Sequence, residues 1–105
     1  MQEITVQELK TKLDKNSDFQ LIDVREIHEH ELANIGGELI PMRTVLDNVD
    51  KISKEKEVVI YCRSGNRSGT VIKELENRFG YKNLYNLKGG ILAWAKEIDN
   101  SLPIY

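Results

Sequence analysis

The chain has 105 residues, 40% hydrophobic and 30% charged, which is enough apolar material for one globular domain over 1–105 and too much for a disordered chain. Size scaling gives a folded surface of roughly 6,000 Å² against roughly 17,500 Å² for the open chain, so a core forms without staples. The net charge of −2 divides unevenly, with six Lys/Arg against eleven Asp/Glu in residues 1–52 and nine against six in 53–105. No basic run or aromatic-rich basic stripe is present, which argues against a nucleic-acid partner; the positive half suits a small anion, or merely solvated helix faces.

Thr5-Val6-Gln7-Glu8 has the form of a capping box, and Val6, Leu9 and Leu13 follow at helical spacing. Phe19 to Val24 reads as a short strand in which Asp23 is the polar exception. Glu26 to Leu32 is polar and predicts a short helix. Gly36-Gly37 breaks the chain before a brief strand, Glu38-Leu39-Ile40, which Pro41 ends. Val45, Leu46, Val49 and Ile52 predict a one-sided helix over 43–52. Glu57 to Tyr61 is β-branched and apolar on consecutive positions, as in a strand covered on both faces.

Cys62-Arg63-Ser64-Gly65-Asn66-Arg67 comes next, then a helix from about Ser68 to Phe79 that buries Val71, Ile72, Leu75 and Phe79 and stops at Gly80. Asn83 to Leu87 is a last strand. After Gly89-Gly90, the set Ile91, Trp94, Ala95 and Ile98 marks a final helix, with Trp94 in the core. The fold class is α/β: a three-layer sandwich with a central, mostly parallel sheet of about five short strands and helices on both faces. Ligands of such folds sit at the carboxyl ends of the strands, where Cys62 to Ser68 lies.

The longest uncharged apolar run, Val58 to Cys62, is too short to cross a bilayer, and Met1-Gln2-Glu3-Ile4 lacks the form of a signal peptide. A single cysteine forms no internal disulfide, so the cytoplasm is the expected compartment and no membrane partner is expected.

A cysteine between a buried strand and a helix meets converging backbone N–H groups and the positive end of the helix dipole. Both favour a thiolate, as do the nearby guanidinium groups of Arg63 and Arg67. Gly65 permits a sharp turn, and Ser64, Asn66 and Ser68 offer further hydrogen bonds. The alternative is a small buried hydrophobe. A structural cysteine needs no flanking guanidinium groups, however, and the loop occupies the ligand-binding edge. Cys62 is therefore the candidate nucleophile, with Arg63, Ser64, Gly65, Asn66, Arg67 and Ser68 as its anion cradle.

Tyr61-Cys62-Arg63-Ser64-Gly65-Asn66-Arg67-Ser68, then Gly80-Tyr81-Lys82-Asn83-Leu84 and Leu87-Lys88-Gly89-Gly90-Ile91-Leu92-Ala93-Trp94, resemble the rhodanese-like domain, as does Leu21-Ile22-Asp23-Val24-Arg25-Glu26 upstream. The likeness runs from Ile4 to about Ile98. It implies a sulfurtransferase that needs no cofactor. Cys62 would take sulfane sulfur from a small donor such as thiosulfate and hold it as a persulfide. Cyanide, a thiol or a partner protein would then remove it. A second implied reading is a persulfide-carrier or docking domain of a thiamine- or molybdopterin-type delivery pathway, with little free thiosulfate turnover. Related phosphatases and arsenate reductases enclose five residues between Cys and Arg; Cys62 and Arg67 enclose four, a ring better matched to sulfur than to a phosphoryl group.

The chain departs from the family pattern at Asn34, where histidine is common, and at Glu38, where alanine is. Both bear on packing or partner docking, and the segment is similar to rhodanese-like domains appended to adenylating enzymes. Asp23 and Arg25 are expected either close behind the site or, preferably, as a structural ion pair. His28 and His30 lack metal-ligand spacing and are expected on a solvated surface, so no metal is expected. Gly89-Gly90 lacks the lysine and hydroxyl residue of a phosphate loop.

Overall fold

In the computed structural model, which describes residues 1–103, the chain runs β1 (Gln2–Ile4), α1 (Val6–Asp14), β2 (Phe19–Asp23), α2 (Ile27–Leu32) and β3 (Glu38–Leu39). Two short 3-10 segments follow, Met42–Asp47 and Val49–Lys51, then β4 (Glu57–Tyr61), α3 (Asn66–Phe79), β5 (Leu84–Leu87) and α4 (Gly90–Glu97). The five strands form one sheet in the order β1-β5-β4-β2-β3, and every pair is parallel. The accessible surface of 5883 Å² matches the roughly 6,000 Å² that chain length implies.

Strand β4 is the middle of the sheet, and its side chains alternate between two cores. Val58 and Ile60 pack with Val71, Ile72 and Leu75 of α3 and with Val45 and Ile52. Val59 and Tyr61 point the other way, to Val6 and Leu9 of α1 and to Ile91 and Trp94 of α4. None of the four has measurable exposure, and burying each aliphatic side chain contributes about 1.5–3 kcal/mol. Continuing the alternation puts Cys62 on the α3 side. After β2 the chain moves outward to β3, then returns to β4 and on to β5. The carboxyl ends of β2 and β4 therefore flank the point where the winding reverses, the place at which this architecture binds ligands.

The capping box forms as expected: Thr5 Oγ1 accepts from Glu8 N at 3.1 Å and Glu8 Oε1 accepts from Thr5 N at 2.9 Å. These bonds hold the Glu8 carboxyl below its usual value. Three expectations need correction, and one strand stands where none was expected. Gln2–Ile4 is a strand, recruited by pairing with Tyr85–Leu87, although only Ile4 of the three is buried. The continuous helix over 43–52 is broken at Asn48, whose Nδ2 takes the Thr44 carbonyl at 2.8 Å, the acceptor that an α-helix would reserve for its backbone N–H. Leu13 and Phe79 fall in the last turns of α1 and α3 and Leu46 in the first 3-10 segment, and they are 38%, 38% and 43% exposed. Helix α3 begins at Asn66, two residues before the expected start. Among the described residues, no helix is long and apolar enough to cross a membrane.

Candidate active site

Cys62 follows the last residue of β4, and two backbone amides and a hydroxyl converge on its sulfur. Gly65 N lies 3.1 Å from Sγ, Ser68 N 3.4 Å and Ser68 Oγ 3.3 Å. Cys62 is itself 1% exposed. Burial alone pushes the thiol up; the Ser68 hydroxyl and then the amides of Ser68, Gly65 and Ser64 outweigh it, so the thiol is held below its ordinary value. The sequence leaves open whether the thiol meets solvent. The structure encloses it while aiming the neighbouring amides at it.

This aim depends on the backbone around the loop. Gly65 caps α3 with φ 105°, a left-handed conformation that turns its own amide toward the sulfur side of the loop. From below, the loop is held by the start of α4, where Ile91 N donates to the Cys62 carbonyl at 2.9 Å and Leu92 N to the Arg63 carbonyl at 3.1 Å. Gly90 makes that approach possible: at φ +60°, a Cβ there would lie 2.4 Å from Arg63 O and 2.6 Å from Cys62 O. Gly89-Gly90 thus serves the cysteine loop. Asn86 of β5 adds a third support, its Nδ2 donating to the Gly65 carbonyl at 3.1 Å and its Oδ1 accepting from Ser68 Oγ at 2.5 Å.

The predicted cradle is only partly assembled around the sulfur. Gly65 and Ser68 touch it, and the Ser64 amide supports it; the side chains of Ser64 and Asn66 are exposed, and Arg63 is half-buried. Arg67 is at the site, but its guanidinium forks onto Glu29 of α2, Nη1 to Oε1 at 2.7 Å and Nη2 to Oε2 at 2.9 Å. Any donor charge that reaches Arg67 meets a cation shared with this carboxylate. Asp23 and Arg25 have no exposed surface and are bonded to each other. Arg25 Nε donates to Asp23 Oδ1 at 3.0 Å, and its Nη2 donates to the Ala33 carbonyl at 2.6 Å. His30, expected on a solvated surface, instead sets Nδ1 2.8 Å from Asp23 Oδ2, because one turn of α2 carries it back over the end of β2. His28 is exposed.

Asn86 and Glu29 were not singled out from the sequence. Asn86 carried a usable signal, as the one polar residue within Leu84-Tyr85-Asn86-Leu87 near a strand's carboxyl end, the position Asp23 holds in β2. Glu29 carried none, since acidic residues surround it in α2. The divergent Asn34 closes that helix: its Nδ2 donates to the His30 carbonyl and its Oδ1 accepts from Gly36 N, both at 2.9 Å. Tyr61 Oη donates to the Gly36 carbonyl at 2.9 Å and holds the same segment. Glu38 is exposed on the edge strand. Among the described residues, no group of three or more His, Cys, Asp or Glu is arranged to hold a metal ion.

The model of the rhodanese-like domain matches residues 5–97. A sulfurtransferase of Allochromatium vinosum is 38% identical over 103 residues, covering 97% of this chain and 92% of that protein. The chloroplastic rhodanese-like/PpiC domain-containing protein 12 of Arabidopsis thaliana is 35% identical, but the match takes in 38% of that protein. For the probable adenylyltransferase/sulfurtransferase MoeZ of Mycobacterium tuberculosis the identity is 32%, over 97% of this chain and 26% of that protein. The chain thus spans well under half the length of these two relatives. The crystal structure of a rhodanese-like domain protein from Staphylococcus aureus superimposes with a TM-score of 0.82 at 35% identity, covering 100% of this chain and 99% of that one. With its strand order, its cysteine loop and this match over most of its length, the chain belongs to the rhodanese-like domain family.

Proposed function

We propose that this domain is a sulfurtransferase that carries sulfane sulfur as a persulfide on Cys62. The observation that carries the reading is the convergence of Gly65 N, Ser68 N and Ser68 Oγ on a sulfur held toward its thiolate form despite burial. The thiolate attacks the outer sulfur of thiosulfate. A new S–S bond forms as the old one breaks, and the electron pair of the broken bond leaves on sulfite. Cyanide, a thiol or an acceptor protein then attacks the outer sulfur and restores the thiolate, so electrons balance without a cofactor. Arg63, beside the cysteine, is the cation assigned to the donor's sulfonate. No other cysteine exists in the chain to resolve the persulfide, so discharge is external. A reducing compartment such as the cytoplasm keeps that thiol available.

Burial also favours sulfur over phosphate. A thiol with 1% exposure inside a four-residue ring suits a cargo of one atom better than a phosphoryl group with three equatorial oxygens. The second reading is a sulfur-relay domain loaded by a desulfurase-type partner. It is favoured by relatives such as MoeZ, of which this chain matches 26%. The test is intact mass after incubation with thiosulfate or an organic persulfide: the wild type gains one sulfur atom and Cys62→Ala gains none. Loading by both donors with rapid thiosulfate-to-cyanide turnover supports the enzyme. Loading by the persulfide alone supports the relay, and no loading by either overturns both.

A further inference from the structure

The Ser68 hydroxyl has one proton and two close neighbours, Asn86 Oδ1 at 2.5 Å and Cys62 Sγ at 3.3 Å. The far end of the Asn86 amide fixes which neighbour receives it. Nδ2 lies 3.1 Å from the Gly65 carbonyl, an acceptor only, so the nitrogen faces that way and the oxygen faces Ser68. An amide oxygen has no proton to give, so the hydroxyl donates to it and turns a lone pair toward the sulfur. That arrangement fits an uncharged Sγ, which in the thiol donates its own proton to Ser68 Oγ. A thiolate has no proton to give, and it attracts the hydroxyl's. Ser68 is 0% exposed and Asn86 4%, and a buried donor left unpaired is costly.

We propose that Asn86 is a positioning residue for the sulfur chemistry, holding the Ser68 proton while Cys62 Sγ is uncharged and releasing it to the sulfur when Sγ becomes an anion. The inference rests on the reading of Cys62 as a sulfur carrier. In the persulfide the negative charge lies on the outer sulfur and Sγ is neutral, so the hydroxyl rests on Asn86. When an acceptor's lone pair takes the outer sulfur, the S–S electron pair stays on Sγ. The Ser68 O–H then swings from Asn86 to Sγ, and its proton remains on oxygen throughout. The hydroxyl thereby stabilises the leaving thiolate more than the persulfide from which it departs, the differential that speeds transfer.

The test is the pH dependence of Cys62 alkylation by iodoacetamide in the wild type, Ser68→Ala, Asn86→Ala and the double variant. Asn86→Leu, which fills the buried site, serves as a second replacement. The charged groups at this end of the molecule are Arg63 on the loop, Arg67 with Glu29, and Asp23 with Arg25 and His30; all are unchanged throughout the set. Ser68→Ala raises the midpoint by about half a pH unit, the scale of one hydrogen bond. Asn86→Ala and Asn86→Leu lower it by a similar amount, because Ser68 then serves the sulfur alone, and neither moves it once Ser68 is alanine. An equal movement in both backgrounds, or an upward one with Ser68 present, overturns the proposal and leaves Asn86 as a brace for Gly65. Alkylation requires no sulfur transfer, so a wild type that fails to load sulfur counts against the carrier reading and not against this coupling.

Discussion

Where β2 ends, Asp23 and Arg25 lie fully buried with His30 against the aspartate, while Arg25 also bonds the Ala33 carbonyl. One strand over, where β4 ends, the buried sulfur is met by two amides and a hydroxyl, the latter shared with Asn86 from β5. The two ends touch, since Val24 N donates to the Tyr61 carbonyl at 3.0 Å. They handle buried polarity in different ways. The β2 end sets charge against charge, and these ions, like the Arg67–Glu29 fork between α3 and α2, are occupied with one another. At the β4 end, neutral dipoles face a group whose charge comes and goes. The ionic end ties the end of β2 to α2, and the dipolar end governs what the sulfur does. Stability and reactivity should therefore respond to different substitutions.

Breaking the ionic end has the largest effect. Arg25→Ala strands the Asp23 carboxylate in the interior and removes the donor to the Ala33 carbonyl. Loss of one partner of a buried pair costs about 3–5 kcal/mol. Urea denaturation should record that loss, with the wild-type alkylation midpoint retained in the fraction that stays folded. A loss below about 1 kcal/mol, the range of exposed pairs, would mean that the pair is not buried as described.

The next effect comes from displacing the loop without touching a charge. Gly90→Ala places a methyl against the carbonyls of Arg63 and Cys62 on a backbone at φ +60°. The cost is about 2–3 kcal/mol, from the left-handed conformation and the overlap together. Here the sulfur chemistry should suffer beyond the stability loss, because the carbonyls held by Ile91 and Leu92 move and the loop amides lose their aim. Sulfur loading in the folded protein is the measurement. Unaltered loading would mean that the start of α4 does not set the loop.

The same division decides what could be read without coordinates. Local signals located the site: a β-branched strand, a cysteine, a glycine and a helix start are contiguous in the chain, and the fold puts them at the reversal of winding. The supports were hidden because they are distant in sequence. Asn86 lies 18 residues from Ser68, and Glu29 lies 38 from Arg67, so no periodicity connects them. Strand β1 was hidden for the same reason, since Gln2–Ile4 becomes extended only against β5. Phe79 shows the converse failure: helical spacing gives its direction but not whether the last residue of a helix is covered.

The smallest effect is the dependence of stability on pH, and it isolates the dipolar end. The Cys62 thiol is held below its ordinary value because the Ser68 hydroxyl and the loop amides overcome the upward push of burial. Between the folded value and the unfolded one, the unfolded chain binds more protons, so stability rises with pH across that window. The contribution is complete above the unfolded value and is lost as pH falls through the folded value. It is on the order of 1 kcal/mol, the net worth of such hydrogen bonds. Tyr61 acts with the opposite sign: burial foremost, and the Asp23 charge next, raise its phenol, so stability falls again once unfolded tyrosine ionises. Subtracting the curve of Cys62→Ala from that of the wild type removes the tyrosine contribution. The difference should climb below the tyrosine range and then stay level. A difference that stayed flat, or declined, as pH rose through the cysteine range would mean that enclosure outweighs the donors and that the resting sulfur is a thiol.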